Sequence, residues 1–88
     1  MIALDRFLVS YDLLKPGQDY NSLFAALENL GAKRVLLSAW ALRGNYSCQS
    51  LYDTLAAHMD ATDRLLVVRV DDWKGEGLIV GVNTIWKS

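Results

Sequence analysis

The segment from Arg6 to Leu13 is apolar and rich in β-forming residues, and its interior carries two polar residues, Ser10 and Asp12. This pattern predicts a first β-strand. Side chains of a strand point to opposite faces in turn. One face therefore carries Phe7, Val9, Tyr11 and Leu13, and the other carries Leu8, Ser10 and Asp12. An ionised carboxylate is costly to bury alone, so Asp12 requires a hydrogen-bond donor, a cation or water at the strand end.

A helical period follows a turn at Lys15-Pro16-Gly17-Gln18. The apolar residues that share one helical face are Tyr20, Leu23, Phe24, Leu27 and Leu30. Asp19 or Asn21 can cap the start of this helix, and Gly31 is placed to end it.

The second half of the chain alternates in the same way between strands and a helix. An extended segment covers Ala32 to Leu42, with a bulge or a junction between two short strands expected at Ser38-Ala39. Ser47 is expected to cap a second helix, whose apolar stripe consists of Leu51, Tyr52, Leu55, Ala56 and Met59. Leu65 to Val70 is a strong strand, Asp71 and Asp72 form a solvated turn after it, and Leu78 to Trp86 is a plausible last strand.

This order of elements predicts an α+β fold, namely a ferredoxin-like βαββαβ sandwich with an extra C-terminal strand. We expect a single domain over residues 1–88, with a core at about 5–73 and a C-terminal arm or edge strand at about 74–88. Both helices would cover one sheet face, the face of Tyr11. Ser10 and Asp12 would then project from the face without helical cover.

Composition favours a homodimer. The chain has 88 residues, and an apolar content of 52% is high for so short a protein, so part of this surface is expected in a subunit interface. The net charge of −1 gives no overall attraction to nucleic acid. The single cysteine, the lack of a signal-peptide pattern and the lack of a long apolar run predict a cytoplasmic protein with no membrane segment.

The residues that carry a family resemblance are spread from Phe7 to about Trp73: Val9-Ser10-Tyr11-Asp12-Leu13, Lys15-Pro16-Gly17-Gln18-Asp19-Tyr20, Leu30-Gly31, Ser38-x-Trp40 and Asp63-x-Leu65-Leu66-Val67-Val68. They resemble small proteins often labelled "SinR family", which are relatives of the CRISPR-associated adaptation nuclease (the second Cas protein) and of the VapD toxins. The chain departs from the CRISPR-associated pattern in having a short segment between its second strand and second helix, and Leu37 where a glutamine is often found.

The resemblance implies a dimer formed through the sheet faces, with C-terminal strands that add to the partner's sheet. It also implies a metal-dependent phosphodiesterase site to which each protomer contributes its strand-one aspartate, here Asp12. The serine of the second strand corresponds to Ser38. The implied cofactor is Mg²⁺.

The residues themselves leave several interpretations open. Asp12 is either a ligand of a hard cation or a strand-end carboxylate that caps the turn at 15–17 or pairs with an arginine. Ser10 either orients a water molecule at the metal or is a small polar residue in a dimer interface. Ser38 either supports the site or bonds to the backbone of a bulge.

Four basic residues are candidates for nucleic-acid binding: Lys33, Arg34, Arg43 and Arg69. The first three flank the second extended segment, as a phosphate-binding patch or as a solvated edge that discourages strand pairing. Arg69 interrupts an apolar strand and needs an acidic partner or a phosphate. We expect it on the uncovered face, near the dimer interface.

The histidine and cysteine content favours neither a zinc site nor a nucleophilic cysteine. His58 is the only histidine, which makes a zinc site improbable, and Cys48 has no second cysteine or clear base beside it. Two functions remain. One is a metal-dependent endonuclease or nucleic-acid-associated homodimer, and the other is a non-catalytic dimeric module that binds a protein partner.

Overall fold

A computed structural model describes residues 4–15 and 17–86 of the protein, and its framework is a four-stranded antiparallel sheet. The elements are β1 (Asp5–Asp12), α1 (Asn21–Asn29), β2 (Lys33–Leu36), β3 (Ala39–Gly44), α2 (Cys48–Ala56), β4 (Arg64–Val70) and a short 3₁₀ helix (Val82–Thr84). The strand order is β2-β3-β1-β4, so β1 is an inner strand and β4 is an edge. The predicted α+β class is confirmed, and this arrangement is compatible with a ferredoxin-like type of fold.

Two of the three predicted helix ends are confirmed. Ser47 caps α2 by accepting a hydrogen bond from the Ser50 backbone N–H, and the Ser50 hydroxyl accepts one from the Ser47 N–H in return. Gly31 follows α1 with a φ of +81°, a left-handed conformation that suits glycine. The predicted cap at the start of α1 is wrong, because the N-cap residue is Tyr20 and its side chain makes no capping hydrogen bond. Asp19 lies just before it, and its carboxylate accepts a hydrogen bond from the Asn21 N–H at 2.8 Å. Pro16, part of the predicted turn before α1, lies outside the described residues.

The long extended segment divides into two strands, as one of the two interpretations of Ser38-Ala39 predicts. A turn at Leu37 and Ser38 separates β2 from β3, which pair with each other. The register of this pair shifts between Arg34 and Leu36. Because the Tyr11 N–H bonds to the Ser38 carbonyl, the β2–β3 turn lies beside the end of β1 that carries Asp12.

One face of the sheet packs against both helices. The predicted face of β1 is confirmed, because Phe7, Val9 and Tyr11 are all buried there. The helices contribute buried leucines to the same core, namely Leu23 and Leu27 of α1 and Leu51 and Leu55 of α2. Trp40 is buried among them and its indole N–H donates to the Tyr11 hydroxyl at 2.9 Å. The polar end of a large buried ring is thereby satisfied.

The opposite face, which we call the second face, is half covered by the C-terminal segment, residues 71–86. Val82 and Trp86 pack there against Val35, Ala39 and Ala41. The Trp86 indole N–H donates to the Leu42 carbonyl at 3.0 Å. This cover corrects the expectation that the second face is open.

The C-terminal segment also contains no strand, so the predicted extra strand is wrong for the described part of the arm. Its apolar residues bury themselves on the sheet of their own chain, with one 3₁₀ turn at Val82–Thr84. One strand-like contact exists, a hydrogen bond from the Ile79 N–H to the Val35 carbonyl at 2.8 Å. Residues 87 and 88 of the predicted arm lie outside the described residues. Neither described helix has the length and apolar character needed to span a bilayer.

Candidate functional site

Asp12 is the last residue of β1, and it pairs in register with Arg64, the first residue of β4. Arg64 Nη1 lies 3.5 Å from Asp12 Oδ2. Both side chains are well exposed, at 59% for Asp12 and 73% for Arg64. Pairing with an arginine was one of the interpretations that the sequence left open. An exposed pair of this kind contributes only about 0–1 kcal/mol and rearranges easily.

The part of the second face around Asp12 is not covered by the C-terminal segment. Ser10 lies on this face and pairs with Leu66 of β4 on one side and with Ala39 of β3 on the other. We call this part the open half; it consists of Ser10, Asp12, Arg64 and Leu66, bordered by Leu36 and Leu37. A shallow groove of about 230 Å³ runs along it between β1 and β4.

The open half and its border carry exposed apolar residues. Leu66 is 60% exposed on β4, and Leu36 and Leu37 are 49% and 82% exposed at the β2–β3 turn. Exposed leucines of this kind on one side of a sheet are compatible with a contact surface.

Ser38 lies in the β2–β3 turn and is exposed. Its carbonyl accepts a hydrogen bond from the Tyr11 N–H at 3.1 Å, which extends the β1–β3 pairing by one residue. The structure therefore brings all three candidate catalytic residues, Ser10, Asp12 and Ser38, to one end of the sheet. The described contact of Ser38 is made by its main chain.

The four candidate nucleic-acid-binding residues do not form one patch. Arg34 lies on the helix-covered side, with its guanidinium carbon 4.6 Å from the centre of the Phe24 ring and 5.0 Å from that of Trp40. One of its terminal nitrogens donates to the Tyr11 hydroxyl at 3.4 Å. Lys33, its neighbour in sequence, is exposed and pairs with Ala41, a residue of the second face. The alternation of strand side chains thus separates these two cations.

Arg43 and Arg69 lie at the end of the sheet that is remote from Asp12. Arg43 faces Arg6 across the β1–β3 pair. Arg69 pairs with Phe7, so it lies on the helix-covered side and not on the second face, where we expected it. The expected acidic partner is present, since Arg69 Nη1 lies 4.0 Å from Asp5 Oδ2.

A polar cluster that sequence reasoning missed holds the Asp12 end of the sheet in place. Asp63 Oδ1 accepts hydrogen bonds from the Tyr20 hydroxyl at 2.7 Å and from the Leu14 N–H at 2.8 Å. Asp63 Oδ2 accepts another from the Asp60 N–H at 2.8 Å. We call this cluster the Asp63 clamp. It ties the loop after β1 to the loop before β4, and so fixes the positions of the strand ends that carry Asp12 and Arg64.

Asp60 extends the clamp to Lys15. Its carboxylate accepts hydrogen bonds from the Thr62 hydroxyl at 2.6 Å and the Thr62 N–H at 3.0 Å, and Lys15 Nζ lies 3.2 Å away. These contacts, those of Thr62 first, lower the pKa of Asp60 to about 2.

The clamp also shifts the pKa values of its two central groups. Desolvation raises the pKa of Asp63, but the hydrogen bonds from Tyr20, Leu14 and Asp60 together outweigh it, so the pKa is lowered. Desolvation and the hydrogen bond to Asp63 raise the pKa of the Tyr20 phenol. The pair is therefore held as a phenol that donates to a carboxylate. From the sequence, residues 60–63 predict only a helix end, because the partners at 14 and 20 are distant along the chain.

Asp12 has the chemistry of a divalent-cation ligand but supplies only part of a site. Its exposed oxygens are hard donors of the kind that Mg²⁺ prefers, and its one ion-pair partner is solvated. Within residues 4–15 and 17–86, no group of three or more histidine, cysteine, aspartate or glutamate side chains could hold a metal ion. A cation at Asp12 would therefore take most of its ligands from water or from a second molecule.

No model of a known protein family matches this chain. The resemblance described above thus depends on the quoted residues alone, and three of them, Lys15, Tyr20 and Asp63, belong to the clamp and its extension. In this chain they hold the loop next to Asp12 in place. This arrangement does not by itself specify a reaction.

Proposed function

We propose that the protein is a ferredoxin-like homodimer that cleaves nucleic acid with the help of a divalent cation, Mg²⁺, held by Asp12 of both protomers. The observation that carries the proposal is the location of Asp12 on the open half, where it is exposed and surrounded by exposed leucines. In a dimer formed over this surface, the second carboxylate ligand would be Asp12 of the second copy.

The open half supports a contact between two copies. Leu36, Leu37 and Leu66 are exposed there. Each large apolar side chain that becomes fully buried contributes about 1.5–3 kcal/mol. A two-fold contact over this surface with its axis beside Asp12 would place the two Asp12 side chains next to each other, because a residue beside a two-fold axis meets its own copy.

The residues around Asp12 suit the chemistry of a phosphodiester. When bound, the cation polarises a phosphoryl oxygen and makes water a stronger nucleophile. Asp12 would hold it, and Ser10, on the same face, would orient water by a hydrogen bond. Arg64 would bind a non-bridging phosphate oxygen, for which a guanidinium is well suited. Ser38 would contribute at the rim, from the β2–β3 turn.

The proposal is tested by cleavage of end-labelled RNA and DNA with Mg²⁺ or Mn²⁺. We expect the wild-type protein to cleave one of them and Asp12→Ala to lose about 100-fold or more in rate, the range found when one group that stabilises charge in a transition state is removed. Asp71→Ala is the matched control, since it removes an exposed aspartate that follows β4 at the other end of the sheet. Cleavage at the wild-type rate by purified Asp12→Ala would contradict the proposal.

A second candidate is a dimeric module that binds a protein partner and has no catalytic activity. It is favoured by the ion pair that already engages Asp12 and by the dispersal of Lys33, Arg34, Arg43 and Arg69. The two candidates differ in metal and nucleic-acid binding. A stable dimer that binds neither Mn²⁺ nor labelled nucleic acid would support the interaction module.

A further inference from the structure

The two edges of the sheet differ in how they are covered. At β2, the Ile79 N–H of the C-terminal segment bonds to the outward carbonyl of Val35 at 2.8 Å. At β4, no described residue forms a backbone ladder on the outer side. β4 is therefore the edge on which another strand can pair.

The hydrogen bonds that β1 makes to β3 and to β4 show which backbone groups of β4 point away from the sheet. The Tyr11 N–H bonds to the Ser38 carbonyl on the β3 side, so the odd-numbered residues of β1 bond towards β3 and the even-numbered ones towards β4. The even-numbered residues of β1 pair with the even-numbered residues of β4. The N–H and C=O groups of Leu65, Val67 and Arg69 therefore point away from the sheet. In the part of the chain that the structure describes, none of these groups has a hydrogen-bond partner.

This edge lacks the usual features that prevent strand pairing. β4 contains no proline or glycine, and its register with β1 runs without a bulge from Val70 to Arg64. Its two charged residues each have an acidic neighbour in β1, Asp12 for Arg64 and Asp5 for Arg69. Their charge is thereby partly balanced and repels an incoming strand less.

We infer that β4 pairs with β4 of a second copy, antiparallel and about a two-fold axis at Val68. In this register the outward groups of Leu65 and Val67 exchange hydrogen bonds with Asp71 and Arg69 of the second copy. Val68 faces its own symmetry mate, and the two sheets become continuous. The occupant is a second copy because the edge is complementary to itself.

Charge favours this register over its neighbours. About Val68, Arg64 lies opposite Asp72 of the second copy, and this pair of opposite charges occurs twice. About Val67, Asp63 would lie opposite Asp71, which puts like charges directly across the strands and is unfavourable. About Leu66, Asp63 would lie opposite Arg69, but both oxygens of the Asp63 carboxylate already accept hydrogen bonds within the clamp. Leu66, 60% exposed, lies opposite Val70 in the favoured register and loses exposed apolar surface. Tyr52 of α2, which lines a surface groove with Leu65 and Val67, borders the new contact.

The edge contact does not depend on the contact proposed for the open half. Its hydrogen bonds come from the backbone of β4, although the side chains of Arg64 and Leu66 belong to both surfaces. Pairing at the edge holds whether or not Asp12 binds a cation, so failure of one proposal leaves the other standing.

Disulfide trapping tests the register. Residues that face each other outside a hydrogen-bonded pair have Cα atoms about 4.5 Å apart, within disulfide reach. In a Cys48→Ser background, we expect Val68→Cys to form a covalent dimer under a mild glutathione redox buffer, at least about tenfold faster than Val70→Cys. The Val70 variant is the matched control, because this side chain shares the face of Val68, is half-buried like it and lies outside the open half, but meets Leu66 of the second copy. Trapping of Val70→Cys as fast as Val68→Cys, or of neither, would overturn the inference.

Charge exchange provides a second test that needs no new cysteine. Arg64→Asp and Asp72→Arg should each weaken self-association by about tenfold, since two like-charge pairs replace two opposite-charge pairs. An equimolar mixture of the two variants should regain the wild-type association constant in sedimentation velocity, because every pair across the two-fold is again of opposite sign. A mixture that associates no better than the separate variants would refute the register.

Discussion

The guanidinium of Arg64 lies 3.5 Å from the carboxylate of Asp12, across the pair formed by β4 and β1. A divalent cation held by Asp12, as proposed, would compete with Arg64, since both would balance the charge of the same carboxylate. This competition can be measured.

Removal of the arginine should strengthen cation binding at Asp12. We expect Arg64→Ala to change the free energy of unfolding by less than about 1 kcal/mol, because the pair is exposed. The same change should raise Mn²⁺ affinity several-fold, because a positive charge close to the ligand has gone. Arg69→Ala, whose partner is Asp5, should leave Mn²⁺ affinity unchanged. Weaker Mn²⁺ binding by Arg64→Ala would show that the arginine does not compete with the cation.

The Asp63 clamp should make a cooperative contribution to stability. Asp63→Ala removes the acceptor for Tyr20, Leu14 and Asp60 at once, and Tyr20→Phe removes one of these donors. We expect both variants to lower the urea midpoint, Asp63→Ala by more, and the double variant to lose less than the sum. Asp53→Ala is the control, because among the described residues Asp53 accepts a hydrogen bond from Gln49 alone, on the exposed side of α2. Equal midpoints for Asp63→Ala and Asp53→Ala would mean that the clamp does not stabilise the loops.

Acid should weaken the clamp over a defined range of pH. The pKa of Asp60 is lowered in the folded protein to about 2, so its contribution to stability is complete above the unfolded pKa of about 3.9. It is lost as the pH falls from about 4 towards 2. Asp63, whose pKa is also lowered, adds to the loss in the same direction. Urea midpoints measured between pH 5 and pH 2 should fall less steeply for Asp60→Asn than for the wild type, and parallel curves would argue against the assignment.

The C-terminal segment should act as part of the core of its own chain. Trp86 is buried, its ring meets Trp73 edge-on at 5.4 Å, and its indole N–H bonds to the Leu42 carbonyl. Trp86→Ala should lower the free energy of unfolding by about 3–5 kcal/mol, as for other large aromatic residues removed from cores. Ile79→Ala, at a 57% exposed position, should cost much less. A small effect of Trp86→Ala in dilute protein would indicate that the segment packs elsewhere in solution.

The sequence predicted those features that depend on near neighbours. The alternation at Phe7, Val9 and Tyr11 identified the buried face of β1, and Ser47 and Gly31 marked helix ends. Each of these features depends on residues that are close together in the sequence. The division of residues 32–42 at the β2–β3 turn could be predicted for the same reason.

Features that depend on distant partners were harder to predict. On β4, Leu65, Leu66, Val67 and Val68 are all apolar, so the pattern cannot tell which face Arg69 occupies; only its register with Phe7 settles this. The residues from Leu78 to Trp86 resemble a strand in composition. Their apolar character requires burial, but it does not specify whether the cover comes from their own sheet or from another molecule. The partners of Asp63, at Leu14 and Tyr20, are equally remote in the chain.

The central claim is that Asp12 of two protomers shares one divalent cation. Titration of the protein with Mn²⁺, followed by electron paramagnetic resonance of the unbound ion, measures this stoichiometry directly. The account predicts one bound ion for every two chains, competition by Mg²⁺, and loss of binding in Asp12→Asn. Binding of one ion per chain, or binding that Asp12→Asn leaves intact, would contradict it.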